Sequence, residues 1–492
     1  NLNFSTFSGS TSDNWGSTAT PDDAGNVFAG GIVFGTGLPT TAGAYDQTFN
    51  GTTLGNQHFD IGIMKFNATG SALIYSTYLG GATSNEFPSS MVCGSNNELY
   101  VFGMTGSSDF PTLNAYDNTF NGGVSFSPQG GSAIIPGSDI FIARFNPNGT
   151  ALLSSTFVGG SGNDGYNGAT ALKFNYGDTY RGEITLDASN NVYVASSTTS
   201  ANFPLVGAGG QVMQGAQSAV AFKMNPTLTN LLWSRYISGS GVDAGYSIQV
   251  AYNGNVYVAG GTTSTNLSLT SGNDLSFNGG LADGYLMRLN PTTGQTINGT
   301  YVGQNEYDQV YFVQTDVQND PYIIGQSESS FAISTGCYGN ANSGQFIRKY
   351  SADLSTIQWT TMLGAGSGHV EMSPTAFLVS DCYDIYIAGW GGPLNVLNGQ
   401  ATNSTVSGFP VTTDAFQSTT LGDNFYLAVL GTNAATLKYA TFFGGLTSTL
   451  KHVDGGTSRF DKQGRVYHAV CAACGGSPSG FTSTPGAYST TN

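Results

Sequence analysis

A short strand with an aromatic residue at its centre recurs seven times along the chain. In each copy a turn rich in Asn, Asp and Gly leads into the aromatic residue, and apolar neighbours flank it in most copies. The aromatic residues are Phe28, Tyr100, Tyr193, Tyr257, Tyr322, Tyr386 and Tyr467. Their spacing runs from about 64 to 93 residues, longer than a minimal four-stranded repeat of about 40–45 residues. The sequence therefore predicts one strand-built unit in seven copies, each with a sizeable loop.

Two further patterns recur in step with the first. A strand that ends in glycine, after an aromatic residue in most copies, is centred on Phe7, Tyr78, Phe157, Tyr236, Tyr301, Met362 and Phe442. A third kind of strand carries Lys65, Arg144, Lys223, Arg288 or Lys349, and its sixth copy, at Leu430, has no base. With one plain strand per unit, each unit has four strands, and the basic strand is one copy short.

These counts predict an all-β fold, a seven-bladed β-propeller of four-stranded antiparallel blades that occupies residues 1–492 as a single domain. We expect residues 4–8 to form the outer strand of the last blade and to close the ring, because closure removes an exposed sheet edge. The last blade, about 453–492, is expected to lack its third strand and to be the place where further chain or a partner docks. The other predicted blades span about 16–80, 87–159, 165–238, 245–303, 308–364 and 372–445.

Composition narrows the range of partners. The chain has 14 Lys and Arg against 30 Asp and Glu, a formal net charge of −16, and its bases are not clustered. Binding to a phosphate backbone depends on clustered bases, so nucleic acid is not an expected partner. No apolar run approaches the roughly 20 residues that cross a bilayer, so we expect no membrane insertion. The surface rich in Ser, Thr and Asn indicates an extracellular or outer cell-surface location.

Part of the loop in several units reads Phe-Pro-Thr…Ala-Tyr, most clearly at 110–116, with partial copies at 203–204 and 409–416. With the other patterns, it resembles the bacterial β-propeller repeat of secreted and cell-surface proteins over essentially the whole chain. The stretches 452–461 and 471–476 are similar to propeller regions in large surface proteins of gliding Bacteroidetes-type bacteria. The resemblance implies type IX secretion and an association with gliding motility, and it assigns no catalytic residues.

The cysteines allow several pairings. Cys471 and Cys474 form a Cys-x-x-Cys pair with His452 and His468 nearby. We expect a local disulfide there, and free thiols or a zinc site with the histidines are the alternatives. Cys337 and Cys382 fall in consecutive units and are candidates for a second disulfide, which leaves Cys93 over. We assign no metal, no cofactor and no catalytic residue.

Other polar residues have both a structural and a functional interpretation. The repeated bases occupy one strand position in most units, so we expect packed stems with solvated or paired heads rather than a catalytic arginine cluster. Asp22, Asp187 and Asp461 begin turns, where their carboxylates can bond the local backbone. Trp390 stands at a strand exit and either stacks on a sugar or packs in the core. His58 and Asp60 are expected to form a surface pair at a loop edge, and ligand binding is the alternative.

The predicted function is a non-enzymatic binding or adhesion module that contacts a glycan or a surface protein through propeller loops. Such a module would belong to a larger exported protein and could also contact the secretion machinery. One alternative is a structural spacer or secretion client without a ligand of its own. A propeller glycosidase or lyase is the other alternative, and it would need carboxylates, a histidine or a metal at the mouth of the central channel.

Overall fold

The computed structural model describes residues 2–10, 14–51, 58–127, 134–207, 211–398, 400–447, 451–472 and 480–491. These residues form six four-stranded antiparallel sheets, and in every sheet the spatial order of the strands is their order along the chain. The first blade contains β1 (Asn14–Pro21), β2 (Val27–Val33), β3 (Asp60–Phe66) and β4 (Leu73–Leu79). The second contains β5 (Glu86–Cys93), β6 (Leu99–Thr105), β7 (Asp139–Phe145) and β8 (Leu152–Val158).

The next four sheets repeat this pattern. The third contains β9 (Glu183–Leu186), β10 (Val192–Thr198), β11 (Ser218–Met224) and β12 (Leu231–Ile237). The fourth contains β13 (Asp243–Val250), β14 (Val256–Thr262), β15 (Asp283–Leu289) and β16 (Thr296–Val302). The fifth contains β17 (Asp308–Thr315), β18 (Pro321–Ser327), β19 (Gln345–Tyr350) and β20 (Ile357–Leu363). The sixth contains β21 (Ser373–Val379), β22 (Ile385–Trp390), β23 (Phe425–Leu430) and β24 (Leu437–Phe443).

The sheets are arranged radially as the blades of a β-propeller. Each first strand contacts the first strand of the next blade, from β1 to β21, so the first strands surround the central axis. Apolar side chains fill the space between neighbouring blades, as Ile61 and Ile63 of β3 do against Leu99 and Val101 of β6. The described residues include one α-helix, α1 (Pro393–Asn398), and none of their helices is long and apolar enough to span a membrane.

The prediction of seven four-stranded blades is wrong, because the structure has six. The remaining unit is a two-stranded sheet of β25 (Arg459–Phe460) and β26 (Val466–Tyr467), and β25 contacts both β21 and β1. This sheet therefore lies between the sixth blade and the first and completes the circle of inner strands. The shortfall has the cause that the pattern count predicts, since no basic strand follows β26 among the residues that the structure describes.

Residues 4–8 are not a strand, so the predicted closure by an outer N-terminal strand is also wrong. Their backbone bonds to the segment 484–489 instead, as Phe7 N–H donates to Ser489 O at 3.2 Å and Thr484 N–H to Ser5 O at 3.0 Å. Strand geometry requires a ladder with a neighbouring strand, and no strand lies between β26 and this segment in the described chain.

The long loops between second and third strands cover the outer edges of the blades. Thr41 N–H donates to Ser76 O of β4 at 3.1 Å, and Leu113 and Ser155 of β8 exchange two backbone bonds of 3.0 and 2.8 Å. The third to sixth blades repeat the contact at Ser234, Gly299, Thr360 and Ala440. An uncovered edge would offer its free backbone groups to another sheet. Much of the extra length in each repeat is therefore structural.

Arg459 fastens the two-stranded sheet to blades on the far side of the axis. Its Nε donates to Met91 O at 2.8 Å, and its Nη2 donates to Ser90 Oγ at 3.1 Å and to Ile184 O at 2.5 Å. Nη1 lies 3.4 Å from Glu183 Oε1. One guanidinium thus joins the two-stranded sheet to the second and third blades.

Replacing Arg459 tests this fastening. We expect Arg459→Ala to destabilise the protein by about 3–5 kcal/mol, because it leaves the Glu183 carboxyl buried without its cation. Arg459→Lys should recover only part of the loss, since an ammonium cannot repeat the guanidinium's fan of bonds. Urea unfolding followed by tryptophan fluorescence measures both variants. Equal stability of Arg459→Ala and the wild type would contradict the fastening role.

Candidate functional site

The segment 167–181, which we call the plug, crosses one end of the central axis. It contains two short 3-10 helices, Thr170–Leu172 and Tyr176–Thr179. Tyr176 N–H donates to Asn395 Oδ1 at 2.8 Å, and the Asn175 side-chain amide donates to Gln326 Oε1 at 2.9 Å. Gly177 packs so closely on Gly455 that a Cβ would lie 2.6 Å from its Cα. The plug thereby meets the fifth and sixth blades and the segment before β25.

Bulges in the first strands present two tyrosines to the plug. The register of β13 shifts between Gly245 and Ser247, and that of β17 shifts between Val310 and Phe312. A bulge turns its extra residue out of the alternating pattern, and these extra residues are Tyr246 and Tyr311. Their rings stack at 5.3 Å, the Tyr246 hydroxyl donates to Leu172 O, and the Tyr311 hydroxyl donates to Asp178 Oδ2 at 2.8 Å.

Asp178 and Arg181 form the centre of this network. Arg181 Nε lies 3.0 Å from Asp178 Oδ1, and both side chains are almost fully buried. Asp178 Oδ2 accepts the backbone N–H groups of Phe174 and Asn175 at 2.9 and 2.7 Å. The guanidinium lies 4.7 Å from the Tyr311 ring and donates to Pro374 O at 3.1 Å. Burial raises the pKa of Asp178, and Arg181 opposes that rise.

An acid, an arginine and two tyrosines near a propeller axis could suggest catalysis, but their environment indicates a structural role. Both oxygens of Asp178 are engaged, and Arg181 is directed into the protein by its bond to the sixth blade. A catalytic group needs access to a reacting atom. This cluster instead fixes the plug to the blades around the axis.

The ligand candidates from the sequence do not meet at one site. Trp390 is buried with Tyr176, Leu394, Phe425 and Val453, which favours the core over the sugar-stacking alternative. Asp60 is fully buried at the start of β3, so the expectation of a surface pair with His58 is wrong. His58 is half-buried. Ligand binding by these residues stays a prediction.

The repeated bases have the paired heads that the sequence predicts. Lys65 lies 3.0 Å from Asp22, Arg144 lies 2.7 Å from Glu98, and Lys349 lies 2.9 Å from Asp316. Arg288 donates to Ala352 O at 3.1 Å. The acidic turns are also confirmed, because Asp22 Oδ1 accepts the backbone N–H groups of Ala24 and Asn26 at 3.0 and 2.8 Å. Asp187 and Asp461 make the corresponding turn contacts.

The structure describes some of the cysteines for which the sequence predicts disulfides, but not all of them. Cys474 lies outside the described residues, so its disulfide with Cys471 stays a prediction. Cys337 and Cys382 are free thiols in the structure. Both contact one turn, as Cys337 Sγ donates to Asn433 O at 3.3 Å and the Thr432 hydroxyl donates to Cys382 O at 3.4 Å. Their pairing likewise stays a prediction.

Part of the ligand set for the alternative zinc site comes together in the structure. His452, Asp454 and Cys471 are buried with their ligand atoms within 4.8 Å of one another. His452 Nε2 lies 2.9 Å from Asp454 Oδ1, so this histidine has a hydrogen-bond partner in the carboxyl group. His468 belongs elsewhere, since its Nδ1 lies 2.8 Å from Ser458 Oγ. Three groups of this kind would suit zinc, so the zinc alternative stays a prediction.

Sequence reasoning missed a repeated pair of buried carboxyls between blades. One member begins a third strand, and the other begins the first strand of the next blade or, for Asp164, precedes that strand and bridges to Thr198. The pairs are Asp60 with Glu86, Asp139 with Asp164, and Asp283 with Asp308. Both members of the first pair lie against Gly80, where a Cβ would be within 2.8 Å of each. An acid four to six residues after the strand-ending glycine was the available signal.

Burial, and within each pair the neighbouring carboxyl, favours the protonated state of these acids. The pKa is raised to about 7 for Asp60, to about 8 for Asp139 and to about 7 for Asp164. It is raised to about 6 for Asp283 and to about 7 for Asp308. A neutral carboxyl can donate a hydrogen bond as well as accept one, so these acids can hydrogen-bond between neighbouring blades near neutral pH.

Breaking the plug's ion pair should destabilise the fold. We expect Asp178→Ala to lower the free energy of unfolding by about 3–5 kcal/mol, because Arg181 stays buried without its partner. The matched control is Lys438→Ala, which removes the half-exposed ion pair with Asp384 and should change little. Urea titrations of both variants provide the comparison. Similar effects of the two changes would show that the plug is not held by this pair.

The carboxyl pairs should make stability fall as pH rises. Each acid has a folded pKa above its unfolded value near 4, so the folded state binds more protons between those values and stability falls as pH rises from about 4 to about 8. The opposite effect of His468, whose pKa burial lowers to about 4, ends near its unfolded pKa of about 6.5. Above that pH only the carboxyl effect remains. Melting temperatures should therefore fall as pH rises from 5 and should level off above about pH 8, where the carboxyls are ionised in both states.

Asp139→Asn should flatten this decline, because the amide keeps an acceptor for Asn121 N–H and does not titrate. Asp414→Asn, at an exposed turn, should leave the profile unchanged. A wild-type profile that is level from pH 6.5 to 8.5 would contradict the raised pKa values.

No protein-family model matches the chain, and no curated protein matches it. Solved structures with a similar arrangement include a protein of unknown function from Dyadobacter fermentans, with TM-score 0.38 and 10% identity over 78% of this chain and 92% of that chain. An ulvan lyase of polysaccharide lyase family 25 has TM-score 0.39 and 10% identity, over 89% and 94%. The NanB sialidase of Streptococcus pneumoniae has TM-score 0.40 and 8% identity, over 79% and 67%.

Proposed function

We propose that the chain is a non-enzymatic binding module that contacts a glycan or a surface protein through the loops on one face of the propeller. We place it outside the cell or on the outer cell surface, within a larger exported protein. The proposal is supported by the buried, fully bonded state of the acid–arginine cluster at the axis and by the exposed apolar residues on one set of loops.

The loop face consists of the loops between second and third strands together with those that join one blade to the next. Because strands alternate in direction within a blade, all these loops leave the blades on the same side. They carry exposed apolar residues, among them Val124 (77% exposed), Val212 (67%), Ile134 (65%), Leu421 (57%) and Leu446 (55%). Loops on a rigid scaffold are common binding sites, and exposed apolar side chains supply contact area to a partner. This observation carries the proposal.

Binding assays on matched variants test it. Glycan arrays and pull-downs from intact bacterial cells identify a ligand for the wild type, and the same assay then compares two double variants. We expect Val124→Asp with Val212→Asp to weaken binding at least about tenfold, a loss of roughly 1.4 kcal/mol. The control, Leu232→Asp with Val317→Asp, changes apolar residues that are partly exposed near the opposite face and should bind as the wild type does.

Other outcomes favour the competing functions. Absence of binding to any glycan or cell surface would favour a spacer. Equal weakening by both double variants would contradict a role for the loop face. Turnover of a polysaccharide that is lost on Asp178→Asn, while the fold is retained, would replace the proposal with an enzyme.

A further inference from the structure

A cavity of about 1380 Å³ separates β26 from the N-terminal segment 4–8. We call it the slot. It is lined largely by apolar side chains from the first and sixth blades, among them Val27, Phe66, Ala428 and Phe442. Tyr467 lies on the β26 side, and Phe4 lies on the opposite side. In the complete blades the third strand occupies the corresponding position, between the second strand and the fourth.

The far side of the slot is built like the outer part of a complete blade. The segment 4–8 stands where the fourth strand stands, and the segment 484–489 covers its outer edge. Three backbone hydrogen bonds match those of the first blade. The bond from Thr484 N–H to Ser5 O (3.0 Å) matches the bond from Thr41 to Ser76 (3.1 Å), and the bond from Phe7 N–H to Ser489 O (3.2 Å) matches the bond from Tyr78 to Asp46 (3.0 Å). The bond from Tyr488 N–H to Gly70 O (2.8 Å) matches the bond from Tyr45 to Gly149 (2.9 Å). The edge cover and outer segment are therefore in place without the strand that normally precedes them.

Side-chain packing on this side matches as well. The Tyr488 ring meets Phe66 at 5.6 Å with the edge-on geometry of Tyr45 against Phe145 at 5.5 Å. A Cβ on Gly70 would touch the Phe4 ring, as a Cβ on Gly149 would touch the Tyr75 ring of β4. Phe4 thus occupies the place of a fourth-strand aromatic residue.

The near side of the slot contains most of a repeated polar contact. In the third blade Asp187 accepts the Tyr193 hydroxyl at 3.1 Å, and Lys223 lies 3.5 Å from the same oxygen and 4.7 Å from the tyrosine ring. The fifth blade repeats this with Asp316, Tyr322 and Lys349.

The two-stranded sheet has the acid and the tyrosine of this contact. Asp461 accepts the Tyr467 hydroxyl at 2.8 Å. Arg465 Nη1 lies 3.9 Å from Asp461 Oδ2, and the Arg465 side chain is 55% exposed. In the complete blades the third strand supplies the base of this contact, and the two-stranded sheet has no third strand.

We propose that the slot receives a third β-strand, antiparallel to β26, supplied in cis by polypeptide that leads on from Ser489 as β3 leads on from Asp46. This strand has alternating apolar residues and a Lys or Arg opposite Tyr467. The base meets Asp461 and the tyrosine ring, and the apolar residues pack on the first and sixth blades. The proposal is independent of the proposed function, since it concerns the edge of the ring and not the loop face.

The register of the complete blades specifies the strand. Tyr193 lies opposite Lys223 and Tyr322 opposite Lys349, and the base is the sixth residue of β3, β7, β11 and β15. Backbone ladder bonds supply affinity in such strand addition, and alternate side chains supply specificity. The base opposite the Asp461 and Tyr467 pair fixes the register, because a slip by one residue would turn every apolar side chain to the wrong face.

A graft tests the proposal. The segment 485–492 matches 42–49 in sequence, so a copy of residues 50–66 joined directly after Asn492 should place the β3 sequence in the slot. We expect this chain to melt at a higher temperature than the 492-residue chain and to protect residues 466–470 from hydrogen exchange. The matched control carries Glu in place of Lys65 in the grafted copy only, which leaves the rest of the protein unchanged.

A peptide measures the recognition separately. A synthetic copy of Asp60–Phe66 should bind the 492-residue chain, bind at least about tenfold more weakly with Lys65→Glu, and not bind the grafted chain. Asp461→Asn keeps the turn acceptor and should reduce the preference for Lys. Peptide binding that the graft does not block would overturn supply in cis. A graft without effect on melting or exchange would overturn the slot as a strand site, and equal effects of the Lys and Glu copies would overturn the role of the base.

Discussion

The structure depends on how the free edges of its sheets are satisfied. A four-stranded sheet has two edges whose backbone groups need partners, and the first edge of every blade lies against the central axis. The outer edge is covered by that blade's own loop, through bonds such as Thr41 to Ser76 and Leu113 to Ser155. Edge cover prevents one sheet from pairing with another molecule. It also explains why this repeat is longer than a minimal blade.

The axis is closed by polar contacts as well as by packing. Tyr246 and Tyr311 occupy bulges in β13 and β17, and both bond the plug. Asp178 and Arg181 fix it from within, while Arg459 connects the two-stranded sheet to Met91 and Ile184 across the axis. Buried ion pairs of this kind contribute more to geometric definition than to net stability, because desolvation offsets much of their attraction. In a ring of separate blades, such ion pairs fix the position of each blade relative to the others.

The sequence predicts the parts of this fold that are repeated. Equivalent residues recur at a constant offset, which assigns Tyr193 and Lys223 to strands and Asp187 to a turn. The plug could not be predicted, since 167–181 occurs once and its partners lie on the fourth, fifth and sixth blades and on the segment before β25. Asp60 was misplaced because a single acid near a histidine resembles a surface pair. Its burial follows from Glu86, which belongs to the next blade and lies beyond any local pattern.

The last blade shows the limit of counting. Counting strand patterns located the missing third strand but overestimated what the N-terminal segment could do without it. A β-strand is defined by its neighbour, and the backbone of Phe7 and Ser5 bonds Ser489 and Thr484, which are not in a strand. The side-chain pattern of residues 4–8 was therefore right about position and wrong about secondary structure.

The buried acids also change what the composition implies. The formal charge of −16 counts every Asp and Glu as ionised, yet burial raises the pKa of Asp60 and Asp164 to about 7 and that of Asp139 to about 8. Near neutral pH these groups are partly protonated, so the molecule is less acidic than its sequence suggests. The absence of nucleic acid stays a prediction that depends on bases, and Lys65, Arg144 and Lys349 make ion pairs within their blades. The binding function that we propose therefore relies on the polar and apolar side chains of the loops rather than on a concentration of charge.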